Sequence, residues 1–427
     1  MKSGLSFLVA AKRCEIAELQ QLALTSALVN VTGRLVHGLQ RERGLSNLHL
    51  GSQGARFADM RARQIEECRQ IEAELRACFD TLDTGSASRI GHGARLFSRI
   101  AYVLHGLDAL EALRERVASL AWTPRQATEA YVRLIAGLLA VVFEAADSAS
   151  DPEVSRLLVA LFNFMQGKEF TGQERAAGSA LFASGRADAA EQQRLLHLIE
   201  SQERCLQVFV EFANPKAVDL WTASQASATL AELERLRRVL CTAAQGAPLN
   251  VQLSQAWFDC CSQRIDRMKA VEDRLALDLL RACEDKIAAA RADMEAYQAL
   301  SATSARETDA LSFFKLVPAS SAPTGSPGFG TPVQAYGLQL ERSILELVQE
   351  QAHRLQTMSE ELDTVRASLN ERKLIERAKG LLMAHRQLSE EEAHKTMRQM
   401  AMNQNRRLVE VAEAVLAMAD VLPERPR

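Results

Sequence analysis

The chain has 427 residues, about three times the ~150 residues of a typical domain, so we expect two or three folded units. Apolar residues make up 47% of the chain and aromatic residues 5%, and Leu, Ala and Val dominate the apolar set, which argues against an all-β protein. The formal net charge of -3 excludes a chain-wide positive field that would attract nucleic acid or an anionic membrane. Any such binding surface must therefore be local.

The hydropathy pattern predicts a cytoplasmic protein that does not span a membrane. Residues 134–143 form an uncharged stretch of ten residues, half of the ~20 that a spanning helix needs. The apolar residues 4–11 are followed at once by Lys12 and Arg13, where a signal peptide would carry its cleavage site. The eight cysteines form no C-x-x-C pair and no cluster with histidine, which predicts reduced thiols.

Apolar residues spaced by three and four positions predict at least eight amphipathic helices in the first 300 residues. The predicted helices cover residues 15–40, 60–80, 96–120, 125–146, 153–168, 191–212, 223–242 and 256–300. Strand-like alternation is absent, so the predicted fold class is all-α. We expect two four-helix bundles placed end to end, because one such bundle rarely needs about 300 residues.

One stretch divides the chain. Four of the ten prolines and four glycines fall within residues 315–337, where neither a helix nor a strand is expected to persist. We therefore predict a helical domain over residues 1–315, a flexible linker over 316–337 and a C-terminal domain over 338–427.

The C-terminal domain begins with a heptad pattern. Its seam is Ile344, Val348, Gln351, Leu355, Met358, Leu362, Val365 and Leu369. This pattern predicts that residues 341–369 form a coiled coil joining two chains, so a homodimer is expected. The alternative is a lone amphipathic helix that lies on the first domain. Three short helices are predicted next, one through Ala384, one begun by a capping box at Ser389 and one over 406–421.

No pattern of catalytic residues is present. The sequence has no Gly-rich phosphate loop, no G-x-S-x-G and no H-E-x-x-H, and its eight histidines are scattered. We therefore expect no enzymatic activity, no cofactor and no metal site.

Three arginines, Arg43, Arg175 and Arg237, lie on apolar stripes of predicted helices. Arg43 comes four residues after Leu39 and eight after Leu35, so a helix points all three side chains in the same direction. A buried guanidinium is costly unless it meets a counter-charge. These arginines therefore require either carboxylate partners or a bound anion.

Both alternatives stay open on the residues alone. Local ion pairs with Glu42, Glu174 or Glu234 would neutralise the arginines. Glu42 and Glu174 directly precede Arg43 and Arg175, however, and adjacent helical residues diverge by about 100°, so they are poorly placed as inward partners. An anion pocket is the other reading, because the guanidinium fork suits a small planar oxyanion.

A local basic segment lies near the C-terminus. Residues 371–407 contain nine basic and five acidic residues, a local charge of +4. Residues 338–427 contain no Phe, Tyr or Trp, so RNA bases would be contacted by Arg, Lys and Asn rather than by aromatic rings. The candidate RNA-binding residues are Arg372, Lys373, Arg377, Lys379, Arg398 and Arg406. The alternative is a solvated helix face.

Three segments resemble known families. LVHGLQRERGLSNLHLGS (35–52) and FNFMQGKEFTGQERAAGSALFASG (162–185) resemble the two signature stretches of the nitrate- and nitrite-sensing (NIT) domain. The run ERKLIERAKGLLMAHRQLSEEEAHKTMRQMAMNQNRRLVEVAEAVL (371–416) resembles the ANTAR module. In this order the two are similar to the nitrate-responsive transcription antiterminators.

The resemblance implies a ligand and an output. Nitrate or nitrite would lie in a helical pocket lined by Arg43, Arg175 and Arg237, with Arg41 and Arg238 as neighbouring alternatives. The ANTAR module would bind a leader mRNA with paired hairpins and prevent a terminator from forming, which switches on nitrate assimilation genes. We expect that replacing a pocket arginine abolishes the response without unfolding the domain.

Three questions stay open at this stage. The sequence does not rank nitrate against nitrite. It does not decide whether the ANTAR module is held against the bundle without ligand or is simply kept monomeric. The alternative function is a ligand-free helical interaction scaffold with a coiled coil, which would have no reason to bind nitrate.

Overall fold

The computed structural model of the chain describes residues 4–82, 93–225, 228–303, 333–386, 388 and 390–419. Within these ranges the chain forms helices and no β-strand, which confirms the all-α prediction. The helices are α1 (Gly4–Gly51), α2 (Ala58–Asp80), α3 (Gly93–Asp108), α4 (Leu110–Ala118), α5 (Pro124–Ser148), α6 (Pro152–Ser184), α7 (Ala189–Phe212), α8 (Pro215–Gln225), α9 (Ala228–Thr242), α10 (Leu253–Thr303), α11 (Val333–Arg386), α12 (Glu390–Gln404) and α13 (Leu408–Ala419).

Helix starts follow local capping chemistry. Thr123 and Gln126 form a capping box at the start of α5. Asp151 accepts a hydrogen bond from the Val154 amide to begin α6, and Asp188 caps α7 in the same way. Proline at the first position of α5 and of α6 favours these starts, because its fixed φ suits a helix and its missing N–H would be unpaired there anyway.

Four helices differ from the sequence prediction. The one predicted over 223–242 covers the last residues of α8 and all of α9. The predicted helix over 96–120 is two helices, α3 and α4, separated at Ala109, which no helix-breaking residue marks. The predicted helix over 153–168 continues to Ser184, because the chain meets no residue that ends it before Gly185, whose φ of 68° favours glycine. Helix α1 also runs past the predicted end at Gln40 to Gly51.

The first domain has two cores that share α6 and α10. The larger core is built mainly from α1, α2, α3, α5, the first half of α6 and the middle of α10. Phe164 lies in it, with its ring centroid 4.7 Å from that of Phe209 and 5.4 Å from that of Trp221. The smaller core joins the second half of α6 to α7, α9 and the first half of α10, around the buried Trp257. The sequence predicted two four-helix bundles placed end to end. The structure has two cores, but the larger one contains more than four helices, and α6 and α10 belong to both.

The C-terminal helices form a third core. Ala378, Met397 and Ala412 lie at its centre and come from α11, α12 and α13. The predicted coiled-coil segment and the first helix of this module are one continuous helix, α11.

The heptad seam is only partly available to a second chain. Val365 and Leu369 are buried in the larger core of the first domain, and Leu362 is also buried. The prediction that residues 341–369 pair along their whole length with another chain is therefore wrong for this end of the seam. Leu355 is 53% exposed. Periodicity could not separate the two cases, because both bury the same apolar stripe.

Most of the predicted linker lies outside the described residues. Helix α11 begins at Val333, so residues 333–337 are helical and not part of a flexible segment. The last proline of the stretch, Pro332, precedes this helix, and the glycine at 337 is tolerated within it. No helix in the described part of the chain is long and apolar enough to cross a membrane.

Candidate functional site

The first candidate pocket residue, Arg43, is paired with a carboxylate on another helix. Arg43 of α1 donates two hydrogen bonds to Glu169 of α6, Nη1 to Oε1 at 2.5 Å and Nη2 to Oε2 at 3.2 Å. The two side chains are only 2% and 3% exposed. Gln40 and Gln173 each donate a further hydrogen bond to Glu169. We call Arg43, Glu169 and Arg175 the arginine–glutamate cluster.

Arg175 is the cation of this cluster that lacks a carboxylate partner. Its Nη1 donates to Ser262 Oγ at 3.0 Å, and its guanidinium lies 4.9 Å from the ring centroid of Phe258. Among the described residues it forms no ion pair. Burial, and then the positive charge of Arg43, lower the pKa of Arg175. A bound anion would relieve this unfavourable environment.

Two glycines let the helices approach closely at this point. A Cβ on Gly172 of α6 would lie 2.6 Å from Arg43 Nη2, and a Cβ on Gly44 of α1 would lie 3.0 Å from Arg175 Nη2. Each helix therefore leaves space for the arginine of the other. The Glu-Arg-Gly and Thr-Gly-Gln-Glu-Arg sequences place these residues opposite one another.

Arg237 lies in an adjacent cluster. It donates from Nε and Nη2 to the two oxygens of Glu174, at 2.6 and 2.7 Å, and also contacts Gln202 and Glu234. Burial would lower the pKa of Arg237, but Glu174 and Glu234 together outweigh it and raise that pKa. The structure thus brings Arg43 and Arg175 together. Arg237 is held by Glu174, the residue that precedes Arg175 on α6.

The carboxylate partners correct the sequence argument. Glu42 and Glu174 do point inward, although each pairs with an arginine of another helix and not with its neighbour in sequence. Glu42 binds Arg114 through two hydrogen bonds of 2.9 Å and accepts another from Tyr131. Adjacent residues can both be buried here, because the buried faces of α1 and α6 are broad enough to include neighbouring positions.

The remaining sequence candidates are exposed. Arg41 is 55% exposed and lies 3.6 Å from Glu67, and Arg238 is also exposed. One residue was missed: Arg264 of α10, which lies close to Arg237 and Glu174 and has its pKa lowered by burial and then by Arg237. The sequence pattern could have identified Arg264, because it follows the buried Trp257 and Cys260 at helical spacing.

Three of the six candidate RNA-binding residues contact the first domain. Arg372 donates to Asn163 at 3.0 Å and lies 4.6 Å above the ring of Phe162. Lys373 forms an ion pair with Asp147 of α5. We call the surface formed by α5, α6 and α7 around these residues the docking face.

The third contact lies at α7, where Arg398 of α12 pairs with Glu200. Beside it, His394 of α12 stacks edge-on against His197, with ring centroids 5.2 Å apart, and bonds to Arg204. The docking face therefore holds cations from both α11 and α12.

The other three candidate RNA-binding residues are Lys379, Arg377 and Arg406, and they differ in burial. Lys379 is buried within the C-terminal module, where it pairs with Glu376 and Glu390, both at 2.8 Å. This pairing gives it a structural role in the described chain. Arg377 and Arg406 are exposed.

Comparison with known proteins identifies both parts of the chain. Residues 34–280 match the family described as nitrate and nitrite sensing, NIT. The chain belongs to this family. Residues 363–416 match the ANTAR domain. Both matches lie inside the predicted domains 1–315 and 338–427, whose boundaries themselves stay a prediction.

Two known proteins are similar to this chain over nearly its whole length. A nitrate regulatory protein from Klebsiella oxytoca is 34% identical over 412 residues, which cover 96% of this chain and 93% of that protein. The solved structure of the NasR transcription antiterminator matches with a TM-score of 0.59 and 32% identity, over 97% of this chain and 99% of that one. The resemblance to nitrate-responsive antiterminators is confirmed, and the chain combines nitrate and nitrite sensing with an ANTAR RNA-binding domain. Both parts are regulatory rather than enzymatic.

His394 of α12, which lies against the docking face, responds to pH. Burial, and then the charges of Arg204, His197 and Lys379, lower the pKa of His394 from 6.5 to about 3. An undocked ANTAR domain would restore an ordinary pKa near 6.5. Between pH 6.5 and about 3 the undocked form binds more protons, so docking is stable at neutral pH and weakens as the pH falls.

At pH 5 we expect undocking to be favoured by about 2 kcal/mol relative to pH 7.5. Small-angle X-ray scattering should show a larger radius of gyration at pH 5. His394→Gln removes the titrating group, so this variant should expand less over the same range. Equal expansion of both proteins would contradict the assignment to His394.

Proposed function

We propose that the NIT domain binds nitrate or nitrite between Arg43, Arg175 and Arg237, and that binding frees the ANTAR domain from the docking face. The freed domain binds a leader mRNA with paired hairpins in the cytoplasm, prevents terminator formation and so switches on nitrate assimilation genes. The observation that carries the proposal is that one helix, α6, belongs to both sites. Asn163 and Phe162 contact Arg372, and Glu169 lies six residues further on, about 9 Å along the helix axis.

The blocked cations support the second half of this proposal. Arg372, Lys373 and Arg398 are held by residues of α5, α6 and α7 and so are not free to contact phosphate. Anion binding that shifts α6 would change these contacts, because a ligand moves an equilibrium by its difference in affinity for two states. The nitrate-bound state is the one expected to bind RNA.

Arg175→Gln is the cleanest test of the pocket. Arg175 has no carboxylate partner in the described part of the chain, so its loss strands no paired carboxylate. Loss of its charge-assisted hydrogen bonds, at about 1.5 to 3 kcal/mol each, should weaken nitrate binding about ten- to a hundredfold. Isothermal titration calorimetry of nitrate into the full chain measures this. Binding equal to the unsubstituted protein would remove Arg175 from the site.

Arg43→Ala and Arg237→Ala require a different design. The expectation that they leave stability unchanged does not suit this structure, since each would strand a buried carboxylate, at a cost of about 3 to 5 kcal/mol. Arg43→Lys keeps the positive charge beside Glu169 but lacks the fork. We expect it to fold and to lose nitrate binding, whereas Arg41→Lys, on an exposed arginine, should bind normally.

Release of the ANTAR domain can be tested without altering its RNA-binding residues. The double variant Asp147→Asn, Glu200→Gln removes the partners of Lys373 and Arg398. In the absence of nitrate it should bind leader RNA about tenfold or more tightly than the unsubstituted protein, measured by fluorescence anisotropy. Glu74→Gln, which removes a surface ion pair with Arg34 away from this face, is the control. Unchanged dependence on nitrate would contradict release.

The homodimer is proposed for the part of the seam that the first domain leaves exposed. Leu355→Asp should weaken self-association in analytical ultracentrifugation, because it puts charge on an exposed seam position. Thr357→Asp places the same charge off the seam on another exposed position and should have little effect. If Leu355→Asp sediments as the unsubstituted protein does, the seam does not join two chains.

A further inference from the structure

Glu169 occupies the position in which an anion would bind Arg43. Its two oxygens accept both hydrogen bonds of the Arg43 fork and also those of Gln40 and Gln173. A carboxylate and a nitrate ion are both planar monoanions that bind a guanidinium through paired oxygens. The two therefore compete for the same two N–H donors.

The competition is unequal because of Arg175. Among the described residues, Glu169 has hydrogen bonds to Arg43 but none to Arg175, whose guanidinium donates to Ser262 alone. Formally, Arg43, Arg175 and Glu169 together carry one uncompensated positive charge. An anion between the two arginines would accept hydrogen bonds from both guanidinium groups, whereas Glu169 accepts them from the guanidinium of Arg43 alone. This difference is the source of the driving force for exchange.

We propose that Glu169 is a built-in competitor of the ligand, which leaves Arg43 when nitrate or nitrite binds and so sets the concentration at which the sensor responds. This inference rests on the proposed nitrate site. When the binding-competent state is only a fraction of the population, the apparent dissociation constant rises by the inverse of that fraction. After release from Arg43, Gln40 and Gln173 remain as hydrogen-bond donors to the Glu169 carboxylate.

The test is nitrate titration of the full chain by isothermal titration calorimetry for Glu169→Gln. Glutamine keeps one oxygen as an acceptor for Arg43 but removes the competing charge. We expect nitrate to bind about tenfold or more tightly than to the unsubstituted protein. Damage to the fold alone would weaken binding, so a gain in affinity separates competition from a merely structural role.

Glu42→Gln is the matched control. Glu42 is as deeply buried as Glu169 and binds Arg114 through the same two-bond geometry, but it has no hydrogen bond to Arg43 or Arg175. The nitrate affinity of this variant should stay within about threefold of the unsubstituted protein, since the Glu42 carboxylate competes for the donors of Arg114 and not for those of Arg43. A similar gain in both variants would overturn the specific role of Glu169.

A second variant covers the case in which Glu169→Gln does not fold. Glu169→Asp keeps the charge, but its side chain is one methylene shorter and cannot span both donors of Arg43, so nitrate should bind more tightly, by less than in Glu169→Gln. Unchanged or weaker binding in the folded variants, with normal binding by the unsubstituted protein, overturns the competitor and leaves the nitrate site standing. No nitrate binding by the unsubstituted protein overturns both.

Discussion

The burial of charge along α6 is the constraint on which the sensing domain depends. Lys168, Glu169, Glu174 and Arg175 point into the protein from consecutive turns of this helix, where an unpaired charge is costly. Lys168 pairs with Glu272 of α10, Glu169 with Arg43 of α1 and Glu174 with Arg237 of α9. These pairs define which turn of α6 faces each neighbouring helix, and Arg175 is the member without a carboxylate.

The same helix explains how a small anion could influence a distant surface. Interiors are close-packed, so a helix held on several sides moves between alternative packed positions rather than bending gradually. An ion that changes the pairing of Arg43 acts on the helix that also holds Arg372. Ligand binding and RNA binding can then be coupled through α6 alone, because Glu169, which contacts Arg43, and Asn163, which contacts Arg372, belong to this one helix.

Periodicity predicted the elements and the inward arginines, but it could not predict their partners. Arg43 and Arg237 are buried as the apolar stripes predicted, and Arg175 is half-buried. Glu169 lies 126 residues from Arg43, and Arg114 lies 72 residues from Glu42, so neither pair leaves a local signal. The basic character of the ANTAR domain was equally visible, whereas its contact with Asp147 and Glu200 depends on how separate helices pack. Amphipathic spacing predicts that a face is buried without saying what covers it.

Because α11 is continuous, the orientation of the RNA-binding module about the helix axis is fixed relative to the heptad seam. One 54-residue helix includes the exposed seam position Leu355, the buried Val365 and Leu369, and the basic residues Arg372 and Arg377 of the ANTAR domain. Each residue of an α-helix advances about 1.5 Å and turns about 100°. The number of residues between the seam and the module therefore fixes the direction in which the basic residues point. Length changes in this helix would therefore act as changes of angle: one added residue between seam and module would turn the basic face through more than a quarter of a circle.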